Sequence, residues 1–396
     1  MSNNHRAVVA AVKNHSYARS SLRQSFQHLL DRMEPPLSGI FKTGNRVLVK
    51  PFLHLGQHSN YLNRSVSHPE VVRMIVKALK DCGAVVAIGD EGSKKIRNCR
   101  VPQDKQWIHD LAKETGADLV SFAKTGARHV RGGLRFPFPR HYLIANAVLE
   151  ADAVVNCANF QPHRILGMVG AVKNMFNSVA GMRQQHLHEL FPNPQDLARV
   201  IVDVCAVVKP TVSFLDLTTV RDPEKNGIHP IGLLLAGCDP VALDAVAAHA
   251  VGWDGGAIPT LSWGEKHGLG CMDPRRITLS GLDWAEIKTI SLPKATVAVA
   301  EPETIYDKVT RHINKTILRP RPTIEPALCA GCGDCRRICP VQAIHISPSK
   351  GLAIDPRTCV DCHFCMATCE HGAIQLRHRG AGKAIRQLMQ KPLTVQ

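Results

Sequence analysis

The sequence predicts an α/β protein, a mainly parallel sheet covered by helices, followed by a small α+β domain rich in cysteine. Three observations predict it. Short apolar strands alternate with helical stretches from Arg6 to about Leu318, the pattern of parallel strands whose sheet is covered on both faces. The run Arg319-Pro-Arg-Pro-Thr-Ile-Glu-Pro326 then interrupts the alternation and reads as a proline-rich linker. Beyond it, eight cysteines fall between Cys329 and Cys369. The expected divisions are an α/β domain over 1–318, the linker over 319–326, a cysteine domain over 327–376 and a basic tail over 377–396.

The elements follow in order. Ala7-Val-Val-Ala-Ala-Val12 is a first strand, and Ser20 to Met33 a helix. Arg46-Val-Leu-Val49 is a second strand, ending at Lys50-Pro51. Pro69 opens a helix where its missing N–H costs nothing, and Val71, Val72, Ile75, Val76 and Leu79 share one face. Ala84-Val-Val-Ala-Ile88 is a continuous apolar strand that ends in Gly89-Asp90-Glu91. Asp118-Leu-Val-Ser121 and Ala153-Val-Val155 are further strands, and Pro194 to Val208 is helical. Thr211-Val-Ser-Phe-Leu215 is a strand ending at Asp216. Ile231-Gly-Leu-Leu-Leu235 precedes Asp239-Pro240, a cap with proline at the first turn, and an alanine-rich helix to Val251.

The cysteines carry the most specific chemistry. Cys329, Cys332, Cys335 and Cys339 form one C-x2-C-x2-C-x3-C motif, and Cys359, Cys362, Cys365 and Cys369 a second. Three thiolates at that spacing wrap three corners of a cubane, while the fourth reaches the neighbouring cluster. Two 4Fe–4S clusters are expected, one on Cys329, Cys332, Cys335 and Cys369, the other on Cys359, Cys362, Cys365 and Cys339. The alternative is zinc, which favours two separated Cys-x-x-Cys pairs per ion and has no use for the third cysteine. The repeat extends past the cysteines: Cys339-Pro-Val-Gln-Ala-Ile-His-Ile answers to Cys369-Glu-His-Gly-Ala-Ile-Gln-Leu. This region resembles the bacterial two-cluster ferredoxins, small pseudo-symmetric α+β domains that pass single electrons. Glu370 stands where that family usually has proline, which fixes the turn after the fourth cysteine.

Composition bounds the rest. Hydrophobic residues make up 44% of the 396 and charged residues 21%, ordinary for a globular chain with a substantial core. Cys82, Cys99, Cys157, Cys205, Cys238 and Cys271 are scattered, as reduced thiols are, and Cys157 reads as core. No signal-peptide pattern or spanning apolar run is visible, so the expectation is a cytoplasmic protein off the membrane. The net charge of +16 is spread out, aromatics are only 5%, and no nucleic-acid recognition motif occurs. The densest basic patches, Arg319-Pro-Arg321 and the tail from Arg377 through Lys383, Arg386 and Lys391, flank the cysteine domain. They suit an acidic redox partner, a small anionic compound or RNA; the first is the expected partner.

In α/β sheets ligands bind beyond the carboxyl ends of the strands. The polar residues at those ends are Lys50, Asp90, Asn156 and Asp216, each of which can also be a strand-end cap or turn residue. A second set lies in Asn159-Phe-Gln-Pro-His163-Arg164-Ile-Leu-Gly167-Met-Val-Gly170-Ala-Val-Lys173-Asn174-Met-Phe176. Gly167 to Phe176 reads as a helix presenting Lys173 and Asn174, or as a loop followed by a surface helix.

The elements Val49-Lys50-Pro51, His68-Pro69-Glu70, Ile88-Gly89-Asp90, Gly170-Ala-Val-Lys173-Asn174-Met-Phe176, Lys209-Pro210, Phe214-Leu-Asp216 and Cys238-Asp239-Pro240-Val-Ala-Leu-Asp244 occur in this order. Over residues 6 to 255 they resemble the family known as domain of unknown function 362, whose members often carry a ferredoxin module at the carboxyl end. Two departures are visible. Family members tend to have Lys-Thr-His where this chain has Gln161-Pro162-His163, and a glycine-rich turn after the strand ending at Asp216. This chain has Thr218-Thr-Val-Arg-Asp-Pro-Glu-Lys-Asn-Gly227-Ile-His-Pro230 there.

Other chemistries lack their motifs. No Gly-x-Gly-x-x-Gly follows a strand, Gly380-Ala-Gly-Lys383-Ala lacks the first glycine and the hydroxyl residue of a phosphate loop, and His186-Leu-His188-Glu189 reads as an exposed helix end. The leading reading is an iron–sulfur oxidoreductase that relays electrons to or from a small polar compound. Lys50, Lys173 and Arg164 would neutralise an anionic substrate and His163 would supply a proton. Asp90 and Asp216 would orient groups or hold a metal, with Asn156 and Asn174 as binding residues. Lys50, Asp90, His163, Lys173, Asn174 and Asp216 are then expected to converge on one ligand. The alternatives are a non-enzymatic electron carrier docking a partner, and a cluster-bearing regulatory or RNA-binding protein.

Overall fold

The computed structural model describes residues 6–53, 66–90, 106–134, 136–221, 227–287, 290–292, 319–347 and 351–378. In chain order, β1 (Ala7–Lys13), α1 (Arg19–Asp31), α2 (Leu37–Ile40), β2 (Arg46–Pro51), α3 (Pro69–Asp81), β3 (Val85–Asp90), α4 (Gln106–Thr115) and β4 (Asp118–Ser121) come first. There follow α5 (Phe122–Thr125), β5 (Ala127–Arg131), β6 (His141–Ala145), α6 (Asn146–Glu150), β7 (Ala153–Asn159), β8 (Gln161–His163), β9 (Gly167–Val169), α7 (Ala171–Asn174), α8 (Arg183–Leu190) and α9 (Pro194–Val208). Then come β10 (Val212–Arg221), β11 (Ile228–Gly237), α10 (Pro240–Ala250), α11 (Pro259–Lys266), β12 (Ile277–Gly281) and α12 (Trp284–Ile287).

Eight strands form one sheet in the order β12-β1-β11-β10-β7-β2-β3-β4. From β10 to β4 every pairing is parallel, β11 runs antiparallel to both neighbours, and β1 pairs in parallel with β12. The fold is therefore α/β with a mainly parallel sheet. Alternation along each strand divides the core in two. Leu48, Val154, Ala158 and Leu215 face α7, α9 and α10. Val49, Val155, Cys157 and Phe214 face α1, α3 and α4. The five apolar residues expected on α3 are all buried, each stabilising by at most about 1.5–3 kcal/mol.

Three local expectations change. Gly167 to Phe176 is not one helix: β8 and β9 form a hairpin before the single turn of α7, because strands of three residues carry no legible period. His186 is buried and His188 half-buried, so of the expected exposed helix end in α8 only Glu189 is exposed. The proline-rich run is no linker over Arg321–Ile324, which is β13, paired antiparallel with β16 (Ile374–Arg377). Pro322 is tolerated there because a two-stranded ribbon leaves one edge of each strand without a ladder to complete.

The rest of the cysteine domain repeats itself. Between β13 and β16 lie α13 (Asp334–Arg337), the hairpin of β14 (Ile344–Ser347) with β15 (Gly351–Ile354), and α14 (Phe364–Thr368). Positive φ recurs with the sequence period: Gly331 and Asp361, Gly333 and His363, Gln342 and Gly372. Gln342 N–H bonds the Cys339 carbonyl and Gly372 N–H the Cys369 carbonyl, both at 3.2 Å. The turn after the fourth cysteine thus closes the same way with Glu370 as with Pro340. Most of the basic tail, 379–396, and the expected boundary near Leu318 lie outside the described residues.

Candidate functional site

The carboxyl ends of β2, β3 and β7 bring four of the expected residues into one buried network. Register puts Lys50 beside Asn156, and the Lys50 Nζ lies 2.7 Å from Asp90 Oδ1. Nζ also donates to Asn174 Oδ1 at 3.2 Å, and Asn174 Nδ2 donates to Asn156 Oδ1 at 2.8 Å. Asn156 Nδ2 reaches the Ala171 carbonyl at 2.9 Å, and Asp90 Oδ2 accepts from Leu53 N–H at 2.7 Å. Lys50, Asn156 and Asn174 are wholly buried. Lys50 thus has a buried counter-charge in Asp90.

The single turn of α7 is held from beneath. Asp244 on α10 accepts from Ala171 N–H at 2.6 Å and Val172 N–H at 3.0 Å. A Cβ on Gly170 would meet the Asp244 carboxylate at 2.1 Å, so only glycine admits this approach. Burial pushes Asp244 up to about 7 against the pull of its two N–H donors.

Lys173 sits on that turn, buried, with neither a hydrogen bond nor an ion pair among the described residues. Burial, helped by Lys50, holds it down to about 8. His163 on β8 accepts from Ile165 N–H and Leu166 N–H at its Nδ1, both at 3.2 Å. Burial, then Lys173 and His188, lowers His163 to about 3. His188 on α8 meets the Phe176 ring edge-on at 5.4 Å, and burial with Lys173 lowers it to about 4. Sequence reading did not assign His188 to a site: its burial comes from the docking of α8, which leaves no local period. Arg164 is exposed on the β8–β9 hairpin.

Asp216 does not join this group. Alternation along β10 places it with Phe214, on the face of α1 and α3. It accepts from Tyr17 O–H at 2.8 Å, and Tyr17 stacks on His68 with ring centroids 3.8 Å apart. The expected convergence of six residues on one ligand is therefore not what the structure shows. Asp216 stands on the sheet face opposite Lys173.

The eight cysteines ring two hollows. Cys329, Cys332, Cys335 and Cys369 line one with Ile324, Leu352 and Ile374. Cys339, Cys359, Cys362 and Cys365 line the other with Pro322, Ile344 and Ile354. Each takes three cysteines from one motif and the fourth from the other. Among the described residues no three Cys, His, Asp or Glu side chains are set closely enough to share one metal ion. Thiolates spread round a hollow suit a group that offers each its own iron. Ala343 N–H reaches Cys339 Sγ at 3.2 Å.

The hollow lined by Cys362 faces the α/β domain. Cys362 and Phe364 pack with Ala123, Ala127, Leu143 and Ala180. Met182 N–H donates to the Cys362 carbonyl at 3.2 Å, and Thr368 Oγ1 to the Ala123 carbonyl at 3.4 Å. Ala123 lies on α5, just past the end of β4, where Ser121 pairs with Asp90. The cysteine domain thus docks at the carboxyl end of the sheet. The other hollow lies farther out, with Cys332 exposed.

Fold and hollows together define an α/β protein with an appended 4Fe–4S cluster-binding domain. The chain belongs to the family described as domain of unknown function (DUF362), whose model matches residues 47–249, half of its length. A 4Fe-4S dicluster domain model matches residues 328–373. The thylakoid-associated protein sll1697 of Synechocystis sp. is 27% identical over 268 residues, 66% of this chain and 79% of that protein. Ferredoxin-1 of Rhodobacter capsulatus is 48% identical over 40 residues, 10% of this chain and 58% of the ferredoxin. Among solved structures, the lactate racemase apoprotein from Thermoanaerobacterium thermosaccharolyticum aligns with a TM-score of 0.41 at 12% identity, over 62% of this chain and 58% of that one. Among the described residues no helix is long and apolar enough to cross a membrane.

Proposed function

We propose that this protein relays electrons through two 4Fe–4S clusters to or from a small polar compound bound by the α/β domain, at Lys173 and His163. The inner cluster would be held by Cys339, Cys359, Cys362 and Cys365, and the outer by Cys329, Cys332, Cys335 and Cys369. Bound there, each cluster would supply one electron, so the pair matches a two-electron conversion.

One observation carries the reading. The same stretch of chain bears Lys173 on α7, His188 on α8 and, between them, Met182, which bonds the Cys362 carbonyl. One stretch of chain thus links the inner hollow to Lys173 and His188. His163 serves as a hydrogen-bond donor in this scheme rather than as the proton source. With Nδ1 accepting from two backbone amides, its proton resides on Nε2, and a ring held near 3 is uncharged at neutral pH. Electrons would enter from a redox partner at the outer hollow, where Arg336 and Arg337 on α13 suit an acidic surface.

The test is a single-turnover experiment. Anaerobically purified protein is reduced with dithionite, freed of excess reductant and mixed with a panel of small carboxylates, phosphates and carbonyl compounds. Cluster reoxidation with one two-electron product per chain supports the proposal. Reoxidation by proteins alone, with none of the compounds, would favour the non-enzymatic carrier.

A further inference from the structure

We propose that Lys173, His163 and His188 form a subsite for an anionic group, a carboxylate or a phosphate, of the compound bound by the α/β domain. This inference rests on the reading above for the identity of the pocket and adds the charge class of its occupant.

Lys173 is more than nine-tenths buried and has neither a hydrogen bond nor an ion pair among the described residues. A largely buried ammonium without a partner is unfavourable in general, so such a group suits a counter-charge in the functional state. The nearby carboxylates are already engaged. Asp90 lies 2.7 Å from Lys50 Nζ, and Asp244 is committed to the Ala171 and Val172 amides.

The histidines add donors. His163 Nδ1 is taken by two backbone N–H groups, which leaves Nε2–H as its outward donor. His188 meets Phe176, three residues along the helical path from Lys173, and makes no hydrogen bond among the described residues. An ammonium and two imidazoles within electrostatic reach of one another, with no acid among them, are complementary to an anion.

The experiment is calorimetric titration of the anaerobically purified, cluster-loaded protein with acetate, succinate and inorganic phosphate. Titrations run at pH 6.5 and 9 in buffers of differing ionisation heat. At least one probe is expected to bind saturably, one per chain, and the carboxylate and phosphate arms identify which. Affinity should fall about tenfold from pH 6.5 to 9, as Lys173 loses its proton, with close to one proton taken up per anion at pH 9. Lys173→Met should lose at least about tenfold in affinity together with the pH dependence, and His188→Leu about fivefold. Tyr17→Phe, on the opposite face, should stay within about twofold. Lys173→Gln serves if Lys173→Met does not fold. Absence of saturable binding by all three probes, or binding indifferent to both Lys173 variants, would overturn the subsite. If the anion binds but no compound reoxidises the clusters, the proposed function fails and the subsite stands. Electron transfer without anion binding would do the reverse.

Discussion

The ammonium of Lys50 and the carboxylate of Asp90 lie 2.7 Å apart, with side-chain exposures of 0% and 1%. Two residues 40 positions apart thus neutralise each other at the end of the sheet. Breaking a buried pair leaves an uncompensated charge, at a cost of about 3–5 kcal/mol. Lys50→Met and Asp90→Asn should each lose that much in urea denaturation. The double variant should lose clearly less than the two losses added together. Additive losses would show that the pair is not coupled.

Asp244 makes stability depend on pH in a stated direction. Its folded value of about 7 lies above the ordinary carboxylate range, so the folded state holds a proton that the unfolded state releases. The contribution of Asp244 to stability should therefore be greatest below about pH 4, fall between about 4 and 7, and level off above, by on the order of 2–4 kcal/mol. Asp244→Asn should flatten that slope. Denaturation midpoints across the window check it, and an unchanged slope in the variant would reassign the effect.

Gly181 sets the seam between the domains. Its φ is +52°, and a Cβ there would lie 2.1 Å from the Cys362 carbonyl oxygen. Gly181→Ala should push the inner hollow off the α/β domain, and amide exchange at Met182, which bonds that carbonyl, should speed up more than about tenfold. Unaltered protection would mean that the seam absorbs the methyl group.

Much of the fold was legible because local signals agreed with tertiary structure. Proline at the first turn of α3 and α10, with Asp239 as a cap, marked those helices from sequence, and the structure adds His68 and Asn193 as caps of α3 and α9. The cysteine spacing implied the crossed grouping that the two hollows display. The site was legible only in part. Lys50, Asp90, Asn156 and Asn174 do meet, but strand-end position says nothing about which face a side chain takes. Asp216 therefore looked equivalent to Lys50, although alternation with Phe214 and with Leu48 puts the two on opposite faces. The proline run misled because edge-strand prolines and linker prolines look alike in sequence. His188 was missed because nothing local marks a residue whose surroundings come from a neighbouring helix.

The proposed function requires the inner cluster and Lys173 to be electrostatic neighbours. Redox titration of the anaerobic protein followed by electron paramagnetic resonance, comparing wild type with Lys173→Met, tests it most directly. Cluster potential follows nearby charge. Removing the Lys173 cation should therefore move the cluster on Cys339, Cys359, Cys362 and Cys365 to a more negative potential, while the cluster on Cys329, Cys332, Cys335 and Cys369 stays in place. Two unmoved potentials, or a shift confined to the outer cluster, would contradict the account.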